Sequence, residues 1–516
     1  MKKVKTMAKL SKCLTCGDQP LLRANCLACS GTGKRSPSPA KKAPAPRRVT
    51  PTAADFDGFN PVDFDSDYQA GGRFSSEPAG LVLPQRPGPF ADPLEALQTV
   101  WGYQAFRPGQ REIIDTILAG QNLLVVAATS FGKSLTFQLP SLMRRDRPVL
   151  VVSPLIALMR NQVDDARSRG IPTVMVNSRL TRQEKEDSLA AIRAGKAALI
   201  YVAPEGLDNF VLRQALSYRP PWLVAVDEVH SVGSEAGLSY RPAYRFIQEM
   251  LAERHTEAPQ WLAVTASATA ATLVDVQSRL GLEQAQIIRF TVDRPNLTYR
   301  IETMSQGGKM SRLPKLLKES LGEDTKGGAA IIYTLSRNDA EELASYLQGQ
   351  KFPADFYHAG LPPKKREEIE RKFFAKELNI VCSTCAFGMG IDRSDVRLVV
   401  MHGMPKSVED FYQSMGRAGR DGRPSQCVAL YDPVRDFDKR KWLINNGKDL
   451  ERRAETFTDR GYSDAKLEEA REQQHALLRR VDTFLRSNRC VVQGLKVYFD
   501  EPPGEPCGRC SSCKPH

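Results

Sequence analysis

NLLVVAATSFGKSLTFQLPSLM, residues 122–143, is the stretch on which the reading of the fold turns. Its first half is a short β-branched run, its second half has a helical spacing of apolar residues, and SFGKS lies between them. A turn leading from a strand into a helix presents backbone amides at the helix N-terminus, where a phosphate is held. The expectation is that the loop Thr129, Ser130, Gly132 cradles the phosphates of a nucleotide. Lys133 would reach the β- and γ-phosphates, and the Ser134 hydroxyl would ligate Mg²⁺. The signature is incomplete, because Ala127 occupies the first glycine position of GxxxxGK(S/T). A chance GKS on an ordinary strand–turn–helix is the competing reading.

Working outward, similar runs recur: PVLVVS, AALIYVA, WLVAVDE and WLAVTAS, then AAIIYTLS, LNIVCST, VRLVVMHG and CVALYD. Buried strands of this kind, alternating with amphipathic stretches, signal βαβ units and parallel sheets. The pattern pauses near RFTVDRPNLTYR, so two α/β domains are expected to join near residues 290–296. Residues 30–92 are rich in Pro, Ser, Ala, Gly and acids and read as flexible linker. The expected organisation is a basic arm (1–48), a linker (49–92), two α/β domains (93–292 and 293–437) and a C-terminal cysteine-bearing subdomain (438–516).

The chain has 516 residues, of which 41% are hydrophobic and 26% charged, enough apolar material for several packed cores. No apolar run approaches the roughly 20 residues of a membrane span, and no secretory segment follows MKKVKTMAKL. An intracellular protein with no membrane partner is expected, in a bacterial cytoplasm or, if eukaryotic, a nucleus. Twelve of the basic residues fall in residues 1–50 against one acid, Asp18, within a chain of net charge +13. Such an arm suggests a polyanionic partner, with a solubilising tail as the alternative.

Two further elements carry chemistry. In DEVH, residues 227–230, Asp227 at a strand end would hold Mg²⁺ and Glu228 would polarise an attacking water. In QSMGRAGRDG, residues 413–422, Arg417 and Arg420 would neutralise charge developing on a γ-phosphate. If they come from the second domain, a nucleotide sits between the domains and its hydrolysis is coupled to closure.

Together with GYQAFRPGQREII, VVSPLIALMRNQV, YVAPEGL, VTASAT, DRPNLTY, YHAGL and AFGMGID, these motifs occur in an order that resembles the RecQ branch of superfamily 2 DNA helicases. The resemblance runs from about Leu97 to Cys513. It implies tandem RecA-like domains, ATP-dependent 3′-to-5′ translocation on single-stranded DNA, and unwinding of tailed duplexes in repair or recombination, by a monomer. By the same resemblance Tyr103 would stack on adenine, and Arg107 and Gln110 would contact the base edge and its surroundings. His230 and Gln413 would couple the nucleotide site to the opposite domain, while Thr265, Ser267 and Thr384 would link ATP state to DNA grip. The chain departs from the family in two places. Ser130 and Phe131 stand where glycines are usual, and SVGSEAGLSYRPAY keeps Tyr240, Arg241, Pro242 and Tyr244 but lacks the family's tryptophan and histidine.

The eleven cysteines form two sets of four and three singles. Cys490, Cys507, Cys510 and Cys513 follow a long amphipathic stretch and have the spacing of a closed Zn²⁺ site, which the family's zinc subdomain resembles. Cys13, Cys16, Cys26 and Cys29 form a compact CxxC…CxxC, read as a second zinc knuckle that grips DNA or docks a protein. Cys382, Cys385 and Cys427 read as packing residues. With three residues after Cys513, the winged-helix and terminal helical modules of longer relatives are expected to be absent. Three functions compete: an ATP-driven DNA helicase, a DNA-stimulated ATPase that translocates or anneals but unwinds weakly, and a DNA-binding scaffold with a vestigial ATPase. An RNA helicase is also compatible with the composition.

Overall fold

The computed structural model of the protein describes residues 81–154, 156–177, 180–232, 258–385, 387, 393–446 and 464–514. The N-terminal cysteine set and the segment Tyr240–Tyr244 lie outside the described residues. All described residues fall within one unit, Gln69–His516.

Runs of apolar, mostly β-branched residues become strands, the central ones with side chains buried on both faces. Seven of them, β1 (Leu123–Val126), β2 (Val149–Val152), β3 (Thr173–Val176), β4 (Leu199–Val202), β5 (Leu223–Val226), β6 (Gln260–Thr265) and β7 (Gln286–Arg289), form the first sheet. Its order is β3-β4-β2-β5-β6-β1-β7. The second sheet contains β8 (Leu297–Thr303), β9 (Ala329–Thr334), β10 (Ala354–Tyr357), β11 (Ile380–Ser383), β12 (Val396–His402) and β13 (Ser425–Tyr431). Its order is β10-β11-β9-β12-β13-β8. Every pairing in both is parallel. Alternation along a strand sends successive residues to opposite faces, so Leu124 and Val126 join one core cluster and Leu123 and Val125 another. Helices pack on both faces, and two tandem RecA-like α/β domains result.

Six helices bear on the site: α1 (Gln110–Leu118), α2 (Ala270–Leu280), α3 (Val408–Met415), α4 (Arg435–Asn446), α5 (Asp464–Leu485) and α6 (Val491–Tyr498). Their ends are set by local chemistry. Thr269 caps α2 by accepting the Thr272 amide at 3.2 Å, and α2 stops at Gly281 with φ 60°. Ser407 caps α3 by accepting the Asp410 amide, with Glu409 and Asp410 favourably placed in its first turn. The run LTFQLPSLM, expected as one helix, is two short pieces, Leu135–Gln138 and Pro140–Met143. Pro140 has no amide to donate back along the helix, which interrupts the bonding.

The C-terminal subdomain shares the core of the second domain. Leu478, Val481 and Leu485 of α5, Val491, Val492 and Leu495 of α6, and Cys490, Phe499 and Cys510 all belong to the cluster that also buries Tyr299, Phe411 and Tyr412. The three- and four-residue spacing of the α5 residues puts them on one helical face.

Residues 81–92 differ from the linker expected there. Leu81 and Leu83 pack against the first domain's core. The Arg86 guanidinium donates to the carbonyls of Ser141 and, at 2.6 Å, Arg144, and to that of Arg145. These carbonyls end the helix at Met143, where a cation satisfies unpaired acceptors. The composition is linker-like, but two leucines and one arginine suffice to dock the segment.

Candidate functional site

Because β5, β6 and β1 are neighbours, the loops after their C-terminal ends meet above the centre of the sheet. The loop after β1 carries Thr129–Ser134, the turn after β5 carries Asp227–His230, and the end of β6 with the turn after it carries Thr265–Ser267. This is the crevice in which an open parallel α/β sheet holds its ligand.

The phosphate-type loop is held from behind. Gln110, 3% exposed, accepts the Arg107 amide at 2.9 Å and donates to the Phe131 carbonyl at 2.8 Å. Arg107 donates to the Ser130 carbonyl. Phe131 stacks obliquely on Phe290, 4.6 Å between ring centroids, and both pack against the first domain's core. A Cβ at Gly109 would lie 2.1 Å from the Phe290 ring, so only glycine leaves room for this pair. The departure at Phe131 is thus matched by a specific neighbour. Lys133 donates to the Ala127 carbonyl at 3.3 Å, keeping its ammonium over the loop. Tyr103 is 54% exposed.

Asp227 is buried, and its Oδ1 accepts the Glu228 amide at 2.9 Å. Burial and then the charge of Glu228 push the Asp227 carboxyl well above its usual range, with Lys133 acting against them. Buried Asp227 and half-buried Glu228 are adjacent hard oxygen donors that a divalent cation would neutralise, and Asp227 with the Ser134 hydroxyl would be the residues to hold Mg²⁺. Glu228 is half-buried, and its partial desolvation raises its carboxyl. The His230 hydrogen bond and the charges of Lys133 and Arg417 outweigh that and hold it ionised. An ionised Glu228 is in the form that a water-polarising base requires. Its backbone is in the left-handed region, φ 49°, a strained conformation for a glutamate.

A chain of polar contacts leads from Glu228 into the second domain. His230 Nδ1 lies 3.3 Å from Glu228 Oε2 and 2.9 Å from the Thr265 hydroxyl. Its Nε2 faces the Gln413 amide nitrogen at 3.4 Å, and that nitrogen donates to the Ser267 hydroxyl at 2.9 Å. Gln413 lies on α3, so motifs more than 140 residues apart meet across the domain boundary. Thr384 stands one residue past the end of β11 in the second domain.

The loop bearing Arg417 and Arg420 approaches from the second domain. Thr129 donates to the Gly416 carbonyl at 2.8 Å, and a Cβ at Gly416 would lie only 2.8 Å from that hydroxyl. Arg294, 5% exposed, donates to the Gly416 and Gly419 carbonyls at 2.8 and 2.7 Å. Asn296 adds bonds to the Gly419 and Arg423 carbonyls at 2.8 and 3.0 Å. Arg294 and Asn296 belong to DRPNLTY, where the only local signal of such a role is an arginine and an asparagine at the domain join.

The thiol sulfurs of Cys490, Cys507, Cys510 and Cys513 all lie within 4.8 Å of one another. Four sulfurs about 2.3 Å from a tetrahedral zinc stand roughly 3.8 Å apart, and Cys490–Cys510 and Cys510–Cys513 are 3.9 and 3.5 Å. The amides of Cys507 and Val491 point at the sulfurs of Cys490 and Cys510, 3.3 and 3.4 Å away, as donors to thiolates do. The set fits Zn²⁺. Of the single cysteines, Cys382 and Cys427 are buried packing residues, whereas Cys385 is exposed, with the Lys406 ammonium 3.4 Å from its sulfur.

Tandem RecA-like domains with phosphate-loop, acid-pair and arginine elements facing one another define the class of helicase-type nucleotide motors. Residues 107–276 match the DEAD/DEAH box helicase family and residues 308–422 the helicase conserved C-terminal domain. The chain is 35% identical over 420 residues to the ATP-dependent DNA helicase RecQ of Haemophilus influenzae, covering 81% of this chain and 63% of that protein. It is 36% identical to the probable ATP-dependent DNA helicase RecS of Bacillus subtilis, covering 68% of each. The chain belongs to the RecQ family of superfamily 2 helicases. Its match spans 62–65% of the length of the three RecQ proteins of H. influenzae, Pasteurella multocida and B. subtilis. Among solved structures, Mycobacterium smegmatis helicase Lhr bound to ssDNA and AMP-PNP shares the fold, with a TM-score of 0.52 and 21% identity over 74% of this chain and 56% of that one.

Proposed function

We propose that the protein is an ATP-dependent DNA helicase that translocates 3′ to 5′ on single-stranded DNA and opens tailed duplexes. The observation that carries this reading is the contact chain Glu228–His230–Gln413–Ser267, which joins the hydrolytic acid of one domain to a helix of the other. Lys133 and the loop amides bind the phosphates, and Glu228 takes the proton of the attacking water. Arg417 and Arg420 stabilise charge on the transferred group. Ser134 and Asp227 would hold Mg²⁺, which when bound would neutralise charge on the phosphates. Gln413 and His230 sense whether the second domain is seated, so hydrolysis follows closure. Zn²⁺ in the four-cysteine set contributes folding energy rather than chemistry. Single-stranded and tailed duplex DNA are the partners, and a bacterial cytoplasm is the proposed location.

The test is ATP turnover with and without single-stranded DNA or RNA, alongside unwinding of duplexes with 3′ or 5′ tails. DNA-stimulated turnover with unwinding of the 3′-tailed duplex supports the reading. The sequence SVGSEAGLSYRPAY favours a second one, a DNA-stimulated translocase with weak unwinding. Stimulated turnover without strand separation would select it.

A further inference from the structure

Asp500, the residue after Phe499, leaves the C-terminal subdomain and reaches the first domain. We propose that Asp500 is a positioning residue, a latch that holds the two RecA-like domains closed. The proposal rests on the reading of the interdomain cleft as the nucleotide site.

The subdomain is anchored to the second domain. Phe499 is 2% exposed in that domain's core, with its ring centroid 5.1 Å from Tyr412. The Tyr498 hydroxyl donates to Glu409 at 2.5 Å, and the Ser511 amide donates to the Tyr299 carbonyl at 2.9 Å. Arg509 pairs with Asp293 at the domain join. From this fixed base, Asp500 accepts the Ala270 amide at 2.5 Å. Glu501 accepts the Val292 amide at 2.7 Å and the Thr291 hydroxyl at 2.9 Å at the domain join, where Val292 is itself buried in the second domain's core, so these bonds belong to the base.

Ala270 is the first residue of α2, whose opening amides have no partner within the helix. A carboxylate there is favoured by both the hydrogen bond and the helix dipole. Asp500 makes the bond with φ 59°, a conformation that glycine adopts without strain and aspartate does not. The side chain therefore has a use that offsets its backbone cost. Ala270 also follows Ser267, which receives Gln413, by three residues. Relay and latch thus grip one turn of the first domain from two separate elements of the opposite half. Separating the domains must break the Asp500 bond, so the latch adds to the stability of the closed form.

The test uses the full chain with fluorophores introduced through unnatural amino acids at the exposed positions Tyr218 and Phe374, one on each domain. Asp500→Gly removes the carboxylate and relieves the backbone strain, whereas Asp500→Asn keeps an acceptor without charge. The expected result is a shift of Asp500→Gly toward longer separations without nucleotide, and AMP-PNP binding weakened about tenfold. Asp500→Asn should fall between it and the parent, with zinc content unchanged in both. An unaltered distance distribution in Asp500→Gly would overturn the latch. Loss of zinc from that variant would also overturn it, since the carboxylate would then be holding the cysteine loop. The distance readout needs no hydrolysis, so an inactive parent would refute the proposed function while leaving the latch to be judged on its own data.

Discussion

In the first domain the chemistry-bearing residues stand at the ends of three neighbouring strands, β1, β5 and β6, whereas in the second they stand on α3 and the loop after it. Strand order fixes the first set: parallel neighbours bring Lys133, Asp227, Glu228 and Thr265 to one edge whatever the surrounding side chains are. The arginine loop is tied to the sheet by one backbone bond, from the Gly419 amide to the Val396 carbonyl at 2.9 Å, and its carbonyls are clamped by the side chains of Arg294 and Asn296. A site half can therefore be set by topology or by a clamp. The clamped half should be the one that residues outside the motifs can disturb.

The largest effects should come from the charged groups themselves. Lys133→Ala and Arg417→Ala should each lower ATP turnover on the order of a thousandfold, read as steady-state phosphate release. Turnover within tenfold of the parent in either would remove its domain's contribution to the site. Arg294→Met tests the clamp. It leaves two carbonyls without their buried donor, and kcat should fall roughly 10–100-fold while KM for ATP changes little. A pure KM effect would mean that the arginine loop serves binding and not the chemical step. Replacing Cys510 with serine should abolish zinc uptake at this cluster and lower the melting temperature by about 10 °C, because the cysteine lies in the second domain's own core. Full metal content with unchanged melting would detach the cysteines from that core. The smallest change is expected at Phe131→Ala, which frees the phosphate loop from Phe290 and should raise KM for ATP a few-fold, about the worth of one aromatic pair. A fall in kcat alone would place Phe131 in the chemistry instead.

The same contrast separates what was legible in the sequence from what was not. Strand runs such as LLVV and LVAV declare themselves because parallel strands buried on two faces admit little but β-branched and aliphatic residues. Lys133, Asp227 and Glu228 sit at fixed offsets from such strands, so their neighbourhood could be read in advance. Arg294 could not be assigned in the same way, since its acceptors are the carbonyls of residues 122 and 125 positions away. The Phe131–Phe290 pair and the Asp500–Ala270 bond have the same character, contacts between distant segments with no local period to announce them. Residues 81–92 elude a reading by composition for a related reason. Their composition is that of a linker, and only the acceptors at the end of the Pro140–Met143 helix give Arg86 its use.

Central to the account is that closure of the second domain onto the first is transmitted to Glu228 through His230 and Gln413. The direct test compares Gln413→Ala with the parent for ATP binding and for turnover with and without single-stranded DNA. The account predicts that nucleotide affinity is retained and that stimulation by DNA falls to near the DNA-free rate. Stimulation equal to the parent's would contradict it.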